Sequence, residues 1–216
     1  MDNRIAVIDY GIGNLHSLKK ALEFVGGEVL VTADPQDLRS AARIVLPGIG
    51  AFGEGMDNLR KSGMEEVLRE EIIEQRKPFL GICLGLQLLA DRSFEFGEHQ
   101  GLGFIPGRVR KFDFKNSGAG ELRVPHVGWN SLEKKFEHPL LSGVPNGANF
   151  YFVHSFHFVP EDNKFVLAIA NYGYDFPAII GYDNIFATQF HPEKSQKDGL
   201  RILENFISWN PKYAEN

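Results

Sequence analysis

Short apolar runs alternate with amphipathic segments along the first half of the chain. The runs have the length and apolar content of buried strands, and the segments between them are typical of helices. The predicted strands are 4–9, 29–32, 43–46 and 78–82. The predicted helices are 15–25, 35–40 and 55–76, the last with a break near Gly63. Strands that alternate with helices indicate a parallel sheet with helices packed on its faces.

After Arg92 the pattern changes to short β-like runs with few helical segments between them. These runs are 108–114, 122–127, 150–158, 165–172, 178–183 and 185–190. Strands that follow strands through tight turns pair antiparallel. A final amphipathic helix is predicted over 196–209, and loops over 97–106 and 116–120. We therefore expect an α/β fold, a three-layer sandwich with a mostly parallel central sheet and a mixed or antiparallel C-terminal half, and a single domain over 1–216.

Composition narrows the class of protein. The 216 residues are 43% hydrophobic, enough for a large core, and the net charge is -5. No long Lys/Arg block is present, so no nucleic-acid partner is expected. No signal-peptide pattern and no apolar segment of membrane-spanning length is found, so no membrane association is expected. The single cysteine excludes an internal disulfide and a cysteine-cluster metal site, which fits a cytoplasmic protein.

That single cysteine, Cys83, lies between two closely placed glycines. Gly81 and Gly85 stand two residues before and two residues after it, at the junction of a predicted strand and a predicted helix. Glycines at these positions let the strand and the helix approach closely around a strained central residue. A helix N-terminus with an adjacent base favours the thiolate. The pattern predicts a nucleophile, with a small buried apolar residue as the alternative interpretation.

The base for such a nucleophile is predicted at His191. The chain leaves a predicted strand there through Pro192, and Glu193 follows two residues after the histidine. Positions two apart in extended chain face the same side, so the carboxylate can accept from one ring nitrogen while the other reaches the thiol. His154 and His157 lie three apart in one predicted strand, so we expect them on opposite faces and predict no zinc pair there.

A second glycine-rich segment, 47–53, raises the question of nucleotide binding. Gly48, Gly50 and Gly53 satisfy G-x-G-x-x-G. A dinucleotide site also needs this motif after the first strand and an acid at the end of the next strand, but Glu70 and Glu71 fall inside a predicted helix. The motif alone is weak. A better use for the segment is to point backbone N–H groups at an oxyanion beside the cysteine. We expect neither a cofactor nor a metal.

Together these motifs resemble the triad-type, or class I, glutamine amidotransferase family. The resemblance rests on Pro-Gly-Ile-Gly at 47–50, Gly-Ile-Cys-Leu-Gly-Leu-Gln at 81–87 and His-Pro-Glu at 191–193. It is narrowed to the glutaminase subunits of imidazole glycerol phosphate synthases, which serve histidine biosynthesis, by the segments 9–14, 125–130, 151–155 and 191–195. Phe156 departs from the commoner tyrosine after His-Ser and removes one hydroxyl.

The resemblance implies hydrolysis of glutamine to glutamate and ammonia through a thioester. The implied catalytic residues are Cys83, His191 and Glu193. The implied oxyanion hole is formed by backbone N–H groups of Ile49, Gly50 and Leu84. The implied substrate-binding residues are Gly50, Gln87, Ser155 and Phe156.

The resemblance also implies a partner. Past Ser195 the sequence leaves room for one helix, so no ammonia-using domain is expected in this chain. In the family a separate (β/α)₈-barrel cyclase subunit forms a heterodimer with the glutaminase and receives its ammonia. Asn14, Trp129 and Lys194 match positions near that interface. Glutaminases of this kind are slow until the partner binds its substrate, and the implied point of control is the glycine-rich turn 47–50.

Three alternatives stay open at this point. A thiol hydrolase or peptidase of related architecture would share the cysteine and the histidine, although Gln87 and the Pro-Gly-Ile-Gly turn argue against it. A catalytically idle binding module would share the fold. A paralogous glutaminase that supplies ammonia to a different synthase would share the motifs as well.

Overall fold

The structure is a computed structural model that describes residues 3–115 and 122–211. Within these residues the strands are β1 (Ile5–Ile8), β2 (Val29–Thr32), β3 (Arg43–Leu46), β4 (Phe79–Ile82), β5 (Arg92–Ser93), β6 (His99–Gln100), β7 (Gly107–Lys111), β8 (His126–Ser131), β9 (Glu133–Lys134), β10 (Asn149–His154), β11 (Phe156–Pro160), β12 (Val166–Asn171), β13 (Asp175–Tyr182) and β14 (Ile185–Thr188). The α-helices are α1 (Leu15–Phe24), α2 (Pro35–Ser40), α3 (Phe52–Lys61), α4 (Met64–Leu68), α5 (Leu84–Gln87) and α6 (Gln196–Ser208).

The central sheet has eight strands in the order β2-β1-β3-β4-β14-β13-β12-β9. The first five strands in this order run parallel to one another. The last three continue the sheet through antiparallel pairs: β13 with β14, β12 with β13 and β9 with β12. This order confirms the predicted α/β fold, with a mostly parallel sheet that becomes antiparallel in the C-terminal half. It also makes β14, a late strand in the sequence, a central strand of the sheet.

Alternation along β1 shows why the sheet is covered on both faces. Ile5 and Val7 belong to one apolar core, together with residues of α1 and α6. Ala6 and Ile8 belong to the other core, together with residues of α2, α3 and α4. Burying each large aliphatic side chain stabilises the fold by roughly 1.5–3 kcal/mol. Exposing either face of the strand to water would therefore be unfavourable. The two cores confirm the three-layer arrangement.

The predicted strand 150–158 is two strands. The chain breaks at Ser155 between β10, which pairs with β8, and β11, which pairs with β7. Alternation therefore does not relate His154 to His157, and both rings contact Phe112 with centroid separations of 5.1 and 4.9 Å. The prediction that they face opposite sides was wrong for this reason. The described residues hold no group of three or more His, Cys, Asp or Glu side chains placed to bind a metal ion.

A smaller sheet of order β11-β7-β5-β6 lies outside the central one. Its strand β6 falls within 97–106, which was predicted as loop, and the predicted strand 122–127 begins only at His126. The break predicted near Gly63 is present: this residue has φ 72° between α3 and α4, and α4 continues as a π-helical segment, Arg69–Glu74. The predicted loop 116–120 lies outside the described residues. In the described part of the chain no helix has the length and apolarity to cross a membrane.

Candidate active site

Cys83 occupies a sharp turn between β4 and α5. Its φ of 55° and ψ of -104° are strained for a residue other than glycine. A Cβ on Gly85 would lie 1.8 Å from the carbonyl oxygen of Leu46, and one on Gly81 would lie 2.8 Å from the carbonyl oxygen of Gly85. The two glycines therefore let α5 pack directly on the sheet. Cys83 is buried, at the carboxyl edge of the parallel strands.

His191 follows β14, which is the parallel neighbour of β4, so the histidine and Cys83 leave the sheet at the same edge. The Nδ1 atom of His191 lies 2.9 Å from Glu193 Oε1, and both side chains are almost fully buried. Within the described residues His191 Nε2 has no partner in hydrogen-bonding geometry. Burial lowers the pKa of His191, but its interactions with Cys83 and with Glu193 outweigh burial and raise it to about 9. The ring therefore holds its proton more tightly than an ordinary histidine does.

A cavity of about 410 Å³ opens beside Cys83. The predicted site residues that line it are Ile49, Gly50, Cys83, Leu84, Gln87, Ser155, Phe156 and Lys194. Four further lining residues were not predicted from the sequence: Glu95, Pro125, Val153 and His154. The structure thus brings the predicted oxyanion and substrate-binding residues together around the thiol. His191 and Glu193 are not among the lining residues, and His191 reaches the site through its interaction with Cys83.

The predicted oxyanion turn, 47–50, packs against the turn that carries Cys83. Gly50 has φ 106°, a left-handed conformation that favours glycine. Tyr10 donates a hydrogen bond of 2.8 Å to the carbonyl oxygen of Pro47, and burial raises the pKa of this tyrosine, so it stays a neutral donor. The backbone N–H of Leu84 donates to the carbonyl oxygen of Gly48 at 3.4 Å. One predicted oxyanion donor is therefore bonded to the turn itself.

A pair of side-chain amides connects the cavity wall to the thiol. Gln87 Nε2 donates to the carbonyl oxygen of Phe156 at 2.9 Å and to Gln189 Oε1 at 3.1 Å. Gln189 Nε2 lies 3.8 Å from the sulfur of Cys83. The sequence interpretation did not single out Gln189, although it stands two residues before His191 and alternation along the chain places both on one side.

Glu95 gives the cavity a buried carboxylate. Its Oε2 accepts a hydrogen bond of 2.7 Å from the backbone N–H of Phe52, the first residue of α3. Lys194 lines the same cavity and supplies a cation. The cavity therefore carries one group of each charge in addition to the thiol. No sequence pattern identifies Glu95, because it comes from a connection with no regular periodicity.

His154 and His126 support the cavity wall as neutral side chains. His154 Nδ1 lies 2.8 Å from the carbonyl oxygen of Phe156 and therefore donates to it. His154 Nε2 is then the acceptor for His126 Nδ1, at 3.1 Å. Burial lowers the pKa of His154 to about 3 and that of His126 to about 4. Neither ring is charged near pH 7, so both have a structural rather than an acid–base role.

Of the three predicted interface residues, Asn14 and Lys194 follow strands of the central sheet at the edge that carries the cavity, and Trp129 lies in β8, which pairs with β10 outside that sheet. Asn14 follows β1 and caps α1, with Oδ1 accepting from the N–H of Ser17 at 3.4 Å. Trp129 is 49% exposed and packs edge-on against Tyr151. Lys194 Nζ lies 5.9 Å from the centroid of the same tyrosine ring. Trp129 and the cavity residue Lys194 are thus joined through one aromatic side chain.

Comparison with known proteins agrees with this geometry. A family model described as glutamine amidotransferase class-I matches residues 6–209. The chain is 52% identical over 205 residues to the imidazole glycerol phosphate synthase subunit HisH of Geobacter sulfurreducens, covering 94% of this chain and 97% of that protein. It is 47% identical over 216 residues to the subunit of the same name in Nitrosomonas europaea, covering 97% of this chain and 100% of that protein.

Solved structures share the fold at lower identity. The structure of PurLQS from Thermotoga maritima aligns with a TM-score of 0.74 at 20% identity, covering 96% of this chain and 99% of that one. A glutamine amidotransferase from the same organism aligns with a TM-score of 0.64 at 22% identity, covering 88% of this chain and 76% of that one. The chain therefore belongs to the class-I glutamine amidotransferase family, within the group formed by the HisH subunits of imidazole glycerol phosphate synthase.

Proposed function

We propose that the chain hydrolyses glutamine to glutamate and ammonia with a Cys83-His191-Glu193 triad, as the glutaminase subunit of imidazole glycerol phosphate synthase in histidine biosynthesis. The observation that carries the proposal is the placement of a strained cysteine at the wall of a cavity, on the strand next to a histidine whose pKa is raised to about 9. Such a pair favours a thiolate beside an imidazolium, which is the reactive form of a cysteine nucleophile.

The charges of the cavity fit glutamine as substrate. A free amino acid carries an ammonium and a carboxylate, and the cavity wall offers the carboxylate of Glu95 and the ammonium of Lys194. The carbonyl and N–H groups near Ser155 and Phe156, with the amide of Gln87, surround the remaining space. A peptide bond inside a chain has neither terminal charge, so it would leave the carboxylate of Glu95 and the ammonium of Lys194 without the complementary charges that a free amino acid brings. The alternative of a peptidase is disfavoured for this reason.

In the first half of the reaction the thiolate of Cys83 attacks the side-chain amide carbon of glutamine. A carbon–sulfur bond forms and the carbonyl π electrons move to oxygen. The proton on His191 Nε2 passes to the amide nitrogen, the carbon–nitrogen bond breaks, and ammonia leaves. Glu193 holds the ring through Nδ1, at 2.9 Å, and stabilises its positive charge. The product of this half is a thioester on Cys83.

In the second half water is the nucleophile. His191 Nε2, neutral after the first proton transfer, accepts a proton from the water as it attacks the thioester carbon. The carbon–sulfur bond breaks, glutamate leaves, and the thiolate and imidazolium are restored. Because Nε2 has no other hydrogen-bond partner among the described residues, it is free for both transfers.

The oxyanion of each tetrahedral intermediate is assigned to the backbone N–H groups of Leu84 and of the Ile49–Gly50 turn. The N–H of Leu84 now donates to the carbonyl oxygen of Gly48. We propose that the glycine-rich turn reorients to release this donor, and that the partner subunit favours the released state. The rotation of a peptide in this turn costs little free energy, because Gly48 and Gly50 have no Cβ and tolerate left-handed backbone conformations.

The recipient of ammonia is proposed to be a separate cyclase subunit with a (β/α)₈ barrel, bound as a heterodimer through the face that carries Asn14, Trp129 and Lys194. The support is the exposed Trp129 beside the cavity and the subunit name of the relatives. We propose that the residues 1–216 form one glutamine amidotransferase domain.

One experiment tests the function. The purified chain is assayed for glutamate release from glutamine, alone and with the cyclase partner and its phosphorylated ribulosyl substrate, against Cys83→Ser as control. We expect glutaminase activity that rises with the liganded partner and is abolished by the substitution. Binding to no such partner would indicate a different synthase. Retention of activity by Cys83→Ser, or labelling of another residue by a glutamine-like electrophile, would refute the triad.

A further inference from the structure

We propose that Gln189 is a catalytic residue of this site: its side-chain amide donates to the Cys83 sulfur and, through its other end, fixes the orientation of Gln87. The proposal deepens the proposed function, since it rests on Cys83 as the nucleophile. It concerns a residue outside the triad, the oxyanion turn and the predicted substrate contacts.

The hydrogen bonds determine which way each amide points. Gln87 Nε2 has two acceptors, the carbonyl oxygen of Phe156 at 2.9 Å and Gln189 Oε1 at 3.1 Å. A carbonyl oxygen cannot donate, so the nitrogen of Gln87 must face Phe156, and both of its N–H groups are then used. Gln189 consequently turns its oxygen to Gln87 and its nitrogen to Cys83.

This orientation gives Gln189 a defined effect on the thiol. Its Nε2 lies 3.8 Å from Cys83 Sγ, within reach of a hydrogen bond to sulfur. The carbonyl oxygen of Val153 lies 4.0 Å from the same sulfur and favours the protonated thiol, because it can only accept. An amide donor favours the thiolate instead. Gln189 thus adds to His191 as a group that stabilises the reactive form.

The same orientation prepares the substrate pocket. With its nitrogen fully used, Gln87 presents Oε1 as the free end of its amide, and Gln87 lines the cavity. Gln87 therefore presents a hydrogen-bond acceptor, not a donor, to the pocket. An acceptor there suits an N–H group of glutamine, either its ammonium or its side-chain amide. Without Gln189 the Gln87 amide would keep one anchor, to Phe156, and would orient less strictly.

Burial shows that core packing alone does not account for Gln189. The side chain has no exposed surface. A buried amide is unfavourable unless it is hydrogen bonded, and an apolar residue of similar size would be at least as stable there. Among the described residues its side chain hydrogen bonds with Gln87 and Cys83, and both of these residues line the cavity.

The test uses the fact that Cys83 is the single cysteine of the chain. Its alkylation by iodoacetamide, followed by mass spectrometry across a pH series, reports thiolate reactivity without glutamine. Gln189→Met keeps the size and removes both polar ends. Gln189→Glu keeps an oxygen for Gln87, but when ionised it offers no donor to sulfur and also places a negative charge beside it, which disfavours the thiolate further. Asn184→Ala is the control, since it removes another buried side-chain amide, bonded to Ile72 and Lys77 at the opposite end of β14.

We expect alkylation at pH 7 to fall about three- to tenfold in Gln189→Met and further in Gln189→Glu, with the pH profile moved to higher pH in both, and to be unchanged in the control. The KM for glutamine should rise more in Gln189→Met than in Gln189→Glu, because only the latter still anchors Gln87. Wild-type alkylation in folded Gln189→Met would overturn the proposal, and if Gln189→Met does not fold, Gln189→Leu, which also lacks both polar ends, decides. The alkylation result does not depend on glutaminase turnover, so it leaves the proposed function to its own assay.

Discussion

The backbone N–H of Cys83 donates a hydrogen bond of 2.7 Å to the carbonyl oxygen of Thr188. This bond extends the parallel pairing of β4 with β14 by one residue, past the end of the strand that carries the nucleophile. It fixes the backbone of the cysteine to the strand that leads into His191. The relative position of thiol and imidazole is therefore set by main-chain pairing rather than by a loop, which suits a site that must hold its geometry closely.

The raised pKa of His191 predicts the pH dependence of glutaminase activity. The ring must be protonated to give a proton to departing ammonia, and it loses that proton as the pH rises through about 9. We expect kcat/KM to fall above about pH 9 in the wild type. In Glu193→Gln the negative partner is gone, so the pKa of His191 falls and the alkaline limb moves down by about one pH unit or more.

The same variant should lower kcat/KM by roughly 10²–10⁴-fold, because a histidine without its carboxylate loses orientation and charge stabilisation. The measurement is initial-rate glutamate release between pH 6 and 10, with the liganded partner present. An alkaline limb at the same pH in wild type and Glu193→Gln would contradict the assignment of that limb to His191.

Gly85→Ala should destabilise the fold because the new Cβ would lie 1.8 Å from the carbonyl oxygen of Leu46. Backbone cannot move aside as a side chain can, so we expect a loss of about 3 kcal/mol or more in the free energy of unfolding. Gly147→Ala is a suitable control: nothing lies within 4 Å of its Cβ, and its φ of 81° gives a backbone penalty of only about 1–2 kcal/mol. Denaturant unfolding measures the free energy of unfolding of both variants. Equal losses would show that the structure around residue 85 relaxes enough to remove the clash.

Trp129→Ala should weaken binding of the cyclase subunit. Large exposed aromatic residues at the centre of an interface commonly contribute about 2 kcal/mol or more, so Kd is expected to rise about 30-fold. Tyr182→Ala is the matched control, with 56% exposure against 49% for Trp129. Tyr182 pairs with Ile185, which is level with Phe79 at the start of β4, so it lies at the edge of the sheet opposite Cys83. Titration calorimetry with the partner measures both, and equal effects would place the interface elsewhere.

Gly50→Ala tests the proposed control by the glycine-rich turn. At φ 106° an alanine is strained, so the substitution changes the balance between the two orientations of the turn. We expect the ratio of partner-stimulated to basal glutaminase rates to change by about fivefold or more. Gly50→Pro should change it further, since the ring forbids positive φ. A ratio that stays at the wild-type value in both variants would show that the turn is not the point of control.

Much of the fold was predictable from local pattern. Strands β2 and β3 and helix α2 have the bounds predicted from apolar runs and turn residues, and α1 begins at Leu15 as predicted. The break at Gly63 was predicted from a single glycine. These features follow from interactions within a few residues, so the sequence contains them directly.

The parts that were missed depend on distant partners. The predicted strand 150–158 is interrupted at Ser155 because its two halves, β10 and β11, pair with different strands. Local periodicity does not reveal such a change of partner. Glu95 reaches the cavity by capping α3, and the amide of Gln189 is positioned by Gln87. The triad residues were singled out because the thiol lies at a strand-to-helix turn and the acid lies two residues from the histidine. The side-chain contacts around them needed the tertiary structure.

The central place of β14 determines when this site can exist during synthesis. The strand lies between β4 and β13 in the sheet but follows all the other described strands of that sheet in the sequence. Until it inserts, β4 lacks a neighbour on one side, and Cys83 has neither Thr188 nor His191 beside it. Assembly of such non-local pairing is slow compared with helix formation. A chain that ends before β14 therefore has Cys83 without Thr188 or His191 beside it, and we expect such a chain to lack glutaminase activity.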